Sequence, residues 1–172
     1  MRNNFDYSSD GQYVRIYFED GRFFIIDAAD LLTVSKRTWS LGKRGYPVSH
    51  TSRALPGGAK TECLHRYLLK PGNQFEVDHI SGNKLDNRRK NLRICTHQQN
   101  MFNQRIRSTN STGYQGVSYH KQTGKYEAYI NRDGKKIHLG LFISAEEAAF
   151  ARDKAADRLY GEYANLNIGE RP

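Results

Sequence analysis

Asp78 and His79 stand side by side at the end of a segment, Phe75-Glu76-Val77, that reads as a β-strand, and Asn100 follows 22 positions after Asp78. A carboxylate and a carboxamide offer hard oxygen donors. If the chain between them folds back on itself, Asp78 and Asn100 could converge on one hard cation such as Mg2+ or Mn2+, with several positions left to water. Strand alternation turns His79 away from Asp78. A twist at the strand end can still bring its imidazole toward a substrate phosphate, where a near-neutral pKa suits it to take a proton from water. A base and a Lewis acid together suffice to hydrolyse a phosphodiester.

The elements that must position these groups are legible around them. Leu64 to Leu69 is a short apolar segment, Pro71-Gly72 a turn, Ser81 to Asn91 a polar loop, and Leu92-Arg93-Ile94-Cys95 a second strand. Thr96 and Gln99 have capping-box spacing, which starts a helix with Asn100 in its first turn. Upstream, Tyr13 to Phe18 alternates, Glu19 to Arg22 reads as a turn, and Phe23 to Ile26 is apolar, which together predict a hairpin. Asp27 or Asp30 is expected to start a short helix through Leu31, Leu32 and Val34, with Trp39, Tyr46 and Val48 feeding a core before a Gly-rich turn at Leu55 to Gly58. This upstream part carries no catalytic signature of its own.

Downstream, Arg105 to Gly113 is polar and rich in Ser and Thr, as a linker would be. Three strands are expected over Gln115 to His120, Lys125 to Arg132 and Lys136 to Phe142, with Asp133-Gly134 a tight-hairpin signal between the last two. Ser144 and Glu147 form a second capping box, opening an Ala-rich helix to Tyr160 that sets Ala148, Ala151, Ala155 and Leu159 on one face.

Composition narrows the function classes. The chain has 172 residues, 27 Lys+Arg against 18 Asp+Glu, a formal charge of +9 and 37% hydrophobic residues. One or two small domains fit that length. The longest apolar run, Phe23 to Ile26, has four residues, against roughly 20 for a membrane helix. Met1-Arg2-Asn3-Asn4 lacks the apolar stretch of a signal peptide. A soluble, cytoplasmic protein is expected, with no membrane and no small-molecule substrate. Residues 61–109 are the most basic, with 9 Lys+Arg and 4 Asp+Glu. Residues 112–143 carry 5 basic and 2 acidic residues, whereas 144–172 carry 4 and 6. Such a distribution points to nucleic acid as partner. Cys63 and Cys95 are expected to be reduced, buried thiols. A zinc site made with His65 and His97 would need Cys-x-His spacings atypical of zinc modules.

The central motifs are Leu64-His65-Arg66, Val77-Asp78-His79-Ile80, Gly82-Asn83-Lys84-Leu85-Asp86-Asn87-Arg88, Asn91-Leu92-Arg93 and Asn100. In this order they resemble the HNH nucleases of phage and intron homing-endonuclease type. The resemblance implies a ββα-metal fold in which Asp78 and Asn100 bind the divalent metal, His79 is the general base, and Asn91 holds the loop that orients His79. The last position, often His in that superfamily, is Asn100 here. His97 is expected to be an exposed helix residue, and His65 and Arg66 to pack by the site or touch a phosphate rather than bind metal. A bacterial or phage-infected cell is the implied setting.

The C-terminal order Gly113-Tyr114-Gln115-Gly116-Val117, Gly124 to Ile130, Ile137 to Phe142, Ala145 to Ala149 and Tyr163 to Asn167 looks like an APETALA2-type DNA-binding domain. Such a domain is expected to lay its three-stranded sheet in the major groove. Carried over position by position, the DNA-facing side chains would be Gln115, Ser118, His120, Lys125, Tyr129, Asn131, Lys136 and His138. Tyr126 is expected to pack across strands instead.

The chain is therefore expected to be α+β: a β-rich N-terminal region leading into a ββα-metal motif, then a three-stranded antiparallel sheet packed on one helix. The expected domains are a nuclease domain over 1–107, with its ββα-metal core at about 63–107, a linker at 108–113 and a DNA-binding domain over 114–172. The expected activity is metal-dependent, site-specific cleavage of double-stranded DNA. The rival is a catalytically silent, sequence-specific DNA-binding regulator.

Overall fold

Alternation in the first hairpin works as its sequence predicts. In β2 (Tyr13–Tyr17) Val14 and Ile16 are buried while their neighbours are not, and in β3 (Phe23–Asp27) Phe24 and Ile26 take the buried face. The fold is a computed structural model describing residues 3–50, 60–102, 110–132 and 134–168. The expected turn at Leu55 to Gly58 and residues 105–109 of the expected linker lie outside the described residues. By contacts the chain divides into two compact units, Met1–His97 and Gln98–Pro172.

The first unit holds three small antiparallel sheets. The hairpin gains an edge strand that its sequence did not signal, β1 (Phe5–Tyr7), in the order β1-β2-β3. A second sheet runs β4 (Ser40–Leu41), β5 (Pro47–His50), β6 (Thr61–Cys63), and the third pairs β7 (Glu76–His79) with β8 (Leu92–Cys95). A 3-10 turn over Ala28–Asp30 leads into α1 (Leu31–Val34), and α2 (Leu64–Leu69) follows β6 directly. One core unites these pieces, including Val14, Phe24, Ile26, Trp39, Leu64, Val77 and Leu92. Helix α3 (His97–Phe102) begins directly after Thr96, and the division between units falls within it.

The helical segments start where expected, with Asp27 and Asp30 at their N-cap positions, but neither side chain makes a capping bond. Their carboxylates are taken by Arg89, 62 and 59 positions away respectively. Asp27 Oδ2 accepts from the Arg89 backbone N–H at 2.7 Å, and Asp30 receives the Arg89 guanidinium through both oxygens at 2.8 and 3.0 Å. A charge-assisted fork outcompetes a single local capping bond.

In the second unit β9 (Val117–His120), β10 (Lys125–Arg132) and β11 (Lys135–Phe142) form an antiparallel sheet ordered β11-β10-β9, with α4 (Ala145–Tyr160) packed on it. Both halves of the Ser144 and Glu147 capping box are made. Strand β9 starts two residues later than expected, because Gly116 at φ +72° turns the chain so tightly that an added Cβ would lie 2.4 Å from the Tyr129 carbonyl oxygen. The expected face of α4 does meet the core, with Ala148 buried and Ala151, Ala155 and Leu159 partly buried against it, but the buried stripe is wider. Ala148, Ala149, Arg152, Asp153, Ala156 and Tyr160 are the buried positions. The charged pair is buried because it holds the C-terminal segment. Asp153 accepts from the backbone N–H groups of Asn167 and Ile168, and Arg152 donates to Asp153 and to the Asn165 carbonyl.

Candidate active site and nucleic-acid interface

Strand β7 ends in two polar side chains that are both buried, Asp78 at 7% and His79 at 4% exposure. Burial of such groups is tolerated where hydrogen bonds replace water. Asp78 Oδ2 accepts from Arg93 Nε at 3.0 Å and Nη2 at 2.7 Å, a contact set up by the β7–β8 register that puts these two residues opposite each other. His79 Nε2 lies 3.2 Å from Asn87 Oδ1. The Asn87 amide nitrogen donates to the Lys84 carbonyl, which fixes the oxygen toward His79. The imidazole proton is then favoured on Nε2, and Nδ1 becomes the basic nitrogen. Burial pushes the His79 pKa down, opposed in part by the Asn87 hydrogen bond, so the ring is neutral at neutral pH.

The loop from Ser81 to Asn91 is fastened from both sides. The Asn91 side chain accepts from the Ser81 N–H at 2.9 Å and donates to the Asp86 carbonyl at 2.7 Å, while its own carbonyl receives the Ile80 N–H. Ile25 on β3 then exchanges two backbone bonds of 2.8 Å with the loop, donating to Leu85 and accepting from Asn87. Gly82, at φ +67°, closes the turn after His79 by donating to its carbonyl.

Two further rings enclose the imidazole. Tyr46 lies 5.8 Å from His79 between ring centroids, and His65 lies 5.1 Å away, edge-on at 75°. His65 is itself buried, its Nδ1 without a hydrogen-bond partner among the described residues, and burial together with the neighbouring His79 pushes its pKa down to about 3. A neutral buried ring packs by the site, one of the two roles expected for it. Arg66 donates from Nη1 to the Phe75 carbonyl at 3.0 Å. Asn87 and Tyr46 were missed as site residues. Asn87 had a signal in its motif, whereas Tyr46 had none.

Asn100 lies on α3 within the second unit. Its amide oxygen and the Asp78 carboxylate are hard donors whose chemistry fits a hard divalent cation. Among the described residues, no group of three or more His, Cys, Asp or Glu side chains is gathered to hold a metal. Cys95 is buried and Cys63 half-buried, and His97 is an exposed helix residue 2.8 Å from Glu76 Oε1.

On the sheet of the second unit, cross-strand register puts Ser118 opposite Glu127, His120 opposite Lys125, His138 opposite Tyr129 and Lys136 opposite Asn131. Paired residues share a face. The alternate positions Val117, Ala128 and Ile130 are buried among α4 residues, so seven of the eight carried-over side chains lie on the open face. Gln115 differs: it precedes β9, its backbone N–H is held by Asn167 Oδ1, and its Oε1 is buried without a partner among the described residues. Tyr126 packs against Tyr119 at 5.3 Å, as expected.

A nuclease motif with a buried histidine at a strand end, a pinned loop and a following helix defines a class, and comparison with known proteins agrees. The HNH endonuclease family model matches residues 70–102. An uncharacterized HNH endonuclease of Acanthamoeba polyphaga mimivirus is 33% identical over 153 residues, covering 86% of this chain and 75% of that protein. The chain belongs to the HNH endonuclease family. A solved structure of the HNH homing endonuclease I-HmuI, concerned with DNA binding and cleavage, is similar at 23% identity and TM-score 0.36, covering 92% of this chain and 91% of that one. APETALA2-like protein 2 of Oryza sativa subsp. indica is 40% identical over 58 residues, which are 34% of this chain and 13% of the plant protein.

Proposed function

We propose that this HNH endonuclease is a metal-dependent enzyme of mobile-element homing type that cuts double-stranded DNA at a preferred site. Its nuclease domain would occupy 1–107, and an APETALA2-like DNA-binding domain 114–172 would follow the linker at 108–113. The observation that carries this reading is the buried His79 held by Asn87 beside Asp78 at the end of β7. Nδ1 of His79 takes the proton of the attacking water, and Tyr46 and His65 keep bulk water from its ring. Asn91 keeps the loop folded so that Asn87 stays in place. Asp78 and Asn100 would supply oxygen ligands to Mg2+ or Mn2+, whose chemistry there would be Lewis-acid polarisation of the phosphate. The open sheet face, through Ser118, His120, Lys125, Tyr129, Asn131, Lys136 and His138, meets the major groove.

The test is plasmid cleavage with magnesium or manganese, with chelator, and with Asp78→Ala. Cutting should require the metal, and Asp78→Ala should abolish it while duplex affinity stays within a few fold. Metal-independent cutting would defeat the proposal. A protein that binds a preferred duplex yet never cuts would favour the silent regulator.

A further inference from the structure

The open sheet face carries one group that the sequence comparison with DNA-binding domains did not single out. Glu127 sits in β10, the central strand, with its side chain 19% exposed. Its Oε2 accepts from Lys136 Nζ at 2.9 Å and from Ser118 Oγ at 3.3 Å, and its Oε1 lies 3.0 Å from His138 Nδ1. Lys136 is held from below as well, its ammonium 4.2 Å from the Tyr129 ring centroid. One carboxylate thus ties Ser118 from one flanking strand and Lys136 and His138 from the other into a cluster on a face whose other side chains named above are neutral or cationic.

A carboxylate there works against attraction to phosphate, which is the sequence-independent part of DNA binding. It serves base reading in two ways. A carboxylate has about four acceptor positions, and the three contacts above leave one for an incoming donor. The donors a duplex presents in the major groove are the exocyclic amino groups, N4 of cytosine and N6 of adenine. Glu127 also removes the rotational freedom of Lys136, whose ammonium has three donors and commits one to Glu127, so the remainder are preorganised toward guanine O6 and N7.

We propose that Glu127 is the specificity-determining residue of this face, orienting Lys136 and His138 and accepting a hydrogen bond from a base amino group in the major groove. The proposal rests on the sheet face being the DNA surface. Phosphate oxygens are disfavoured beside it, so the centre of the sheet reads bases while the periphery, where Lys125 lies, takes the backbone.

The full chain, kept in chelator so that no strand is cut, is used to select duplexes from a randomised library. Parent, Glu127→Gln, Glu127→Ala and Lys125→Ala are then compared on the selected duplex and on a scrambled one. The parent should fix at least one position as cytosine or adenine, the identity telling N4 from N6, and both Glu127 variants should lose that preference. Their ratio of selected to scrambled affinity should fall roughly tenfold or more, with affinity for scrambled duplex rising. An unchanged ratio in both Glu127 variants, while Lys125→Ala weakens binding, overturns the role of Glu127 and leaves the face standing. If Lys125→Ala also changes nothing on either duplex, the face itself is not the DNA surface and both readings fall.

Discussion

The two compact units treat their polar side chains in opposite ways. In the first, His65, Asp78, His79, Asn87 and Asn91 are all below 8% exposure, and the Asn87 and Asn91 side chains are fixed by backbone groups of their own loop, which β3 holds in turn. In the second, the polar groups proposed for recognition lie on an open sheet, and the buried Arg152 and Asp153 only fasten the C-terminal segment. Bond hydrolysis demands groups held in one geometry and shielded from bulk water, which burial with satisfied hydrogen bonds provides. Recognition demands groups that can exchange water for bases and phosphates, so they must stay hydrated until the partner arrives. The core of the first unit, which gathers three sheets, is also what allows a histidine to be buried at a strand end.

The largest effect expected from breaking this division is on rate. His79→Ala should lower single-turnover cleavage about a hundredfold to ten-thousandfold, the usual contribution of a positioned base, and leave duplex affinity unchanged. Near-parental cleavage by the variant would move the base elsewhere, with His97 the next candidate because its ring is exposed.

A middle-sized effect concerns acid. The folded pKa of His65 is about 3, below the usual 6.5, so the unfolded chain takes a proton that the folded chain refuses. Stability therefore rises with pH through this window. It falls as pH drops below 6.5, by about 1.4 kcal/mol per pH unit at most, until the folded pKa is reached. His79, Tyr46 and Arg66 are the charged or titratable neighbours: His79 is shifted in the same direction, and the Arg66 charge also disfavours a protonated His65. The chain has one tryptophan, Trp39, buried in the first core, so its fluorescence reports that unit in denaturant titrations. Midpoints at pH 7 and pH 5 should separate strongly in the parent and less in His65→Phe, which keeps a ring without the titration. Equal separation in both proteins would exclude His65 as the source.

Local signals were legible in the sequence. The second capping box, the three strands of the second unit and the strand β8 follow from neighbours within a few positions, and so did Asp78 and His79 on one strand; Asp133 of the expected tight turn lies outside the described residues. Contacts across 60 residues were not. Asp27 and Asp30 look like helix starters because capping is a local pattern, and only the fold brings Arg89 to displace it. The partner of His79 could not be chosen between Asn87 and Asn91 from spacing, since both lie in the loop and its path decides which one reaches the ring. Arg152 and Asp153 escaped for a similar reason: charged residues on an Ala-rich helix read as its solvent side unless the segment they hold is known.

The finest comparison lies within the second unit's open face, between two lysines. Lys136 is committed to Glu127 and stacked over Tyr129, whereas Lys125 makes no ion pair among the described residues and is exposed. A lysine that neutralises a phosphate releases roughly 0.9 counterion on duplex DNA, so losing it flattens the plot of log affinity against log salt by that amount. Lys125→Ala should flatten the slope by close to this full value. Lys136→Ala should change it by less, because removing Lys136 also uncovers the Glu127 carboxylate and its charge was already balanced there. The measurement is affinity for a single duplex at several salt concentrations for the parent and both variants. Equal slope changes would mean that Lys136 leaves Glu127 for the backbone on binding, and the cluster would then be a resting arrangement rather than the reading one.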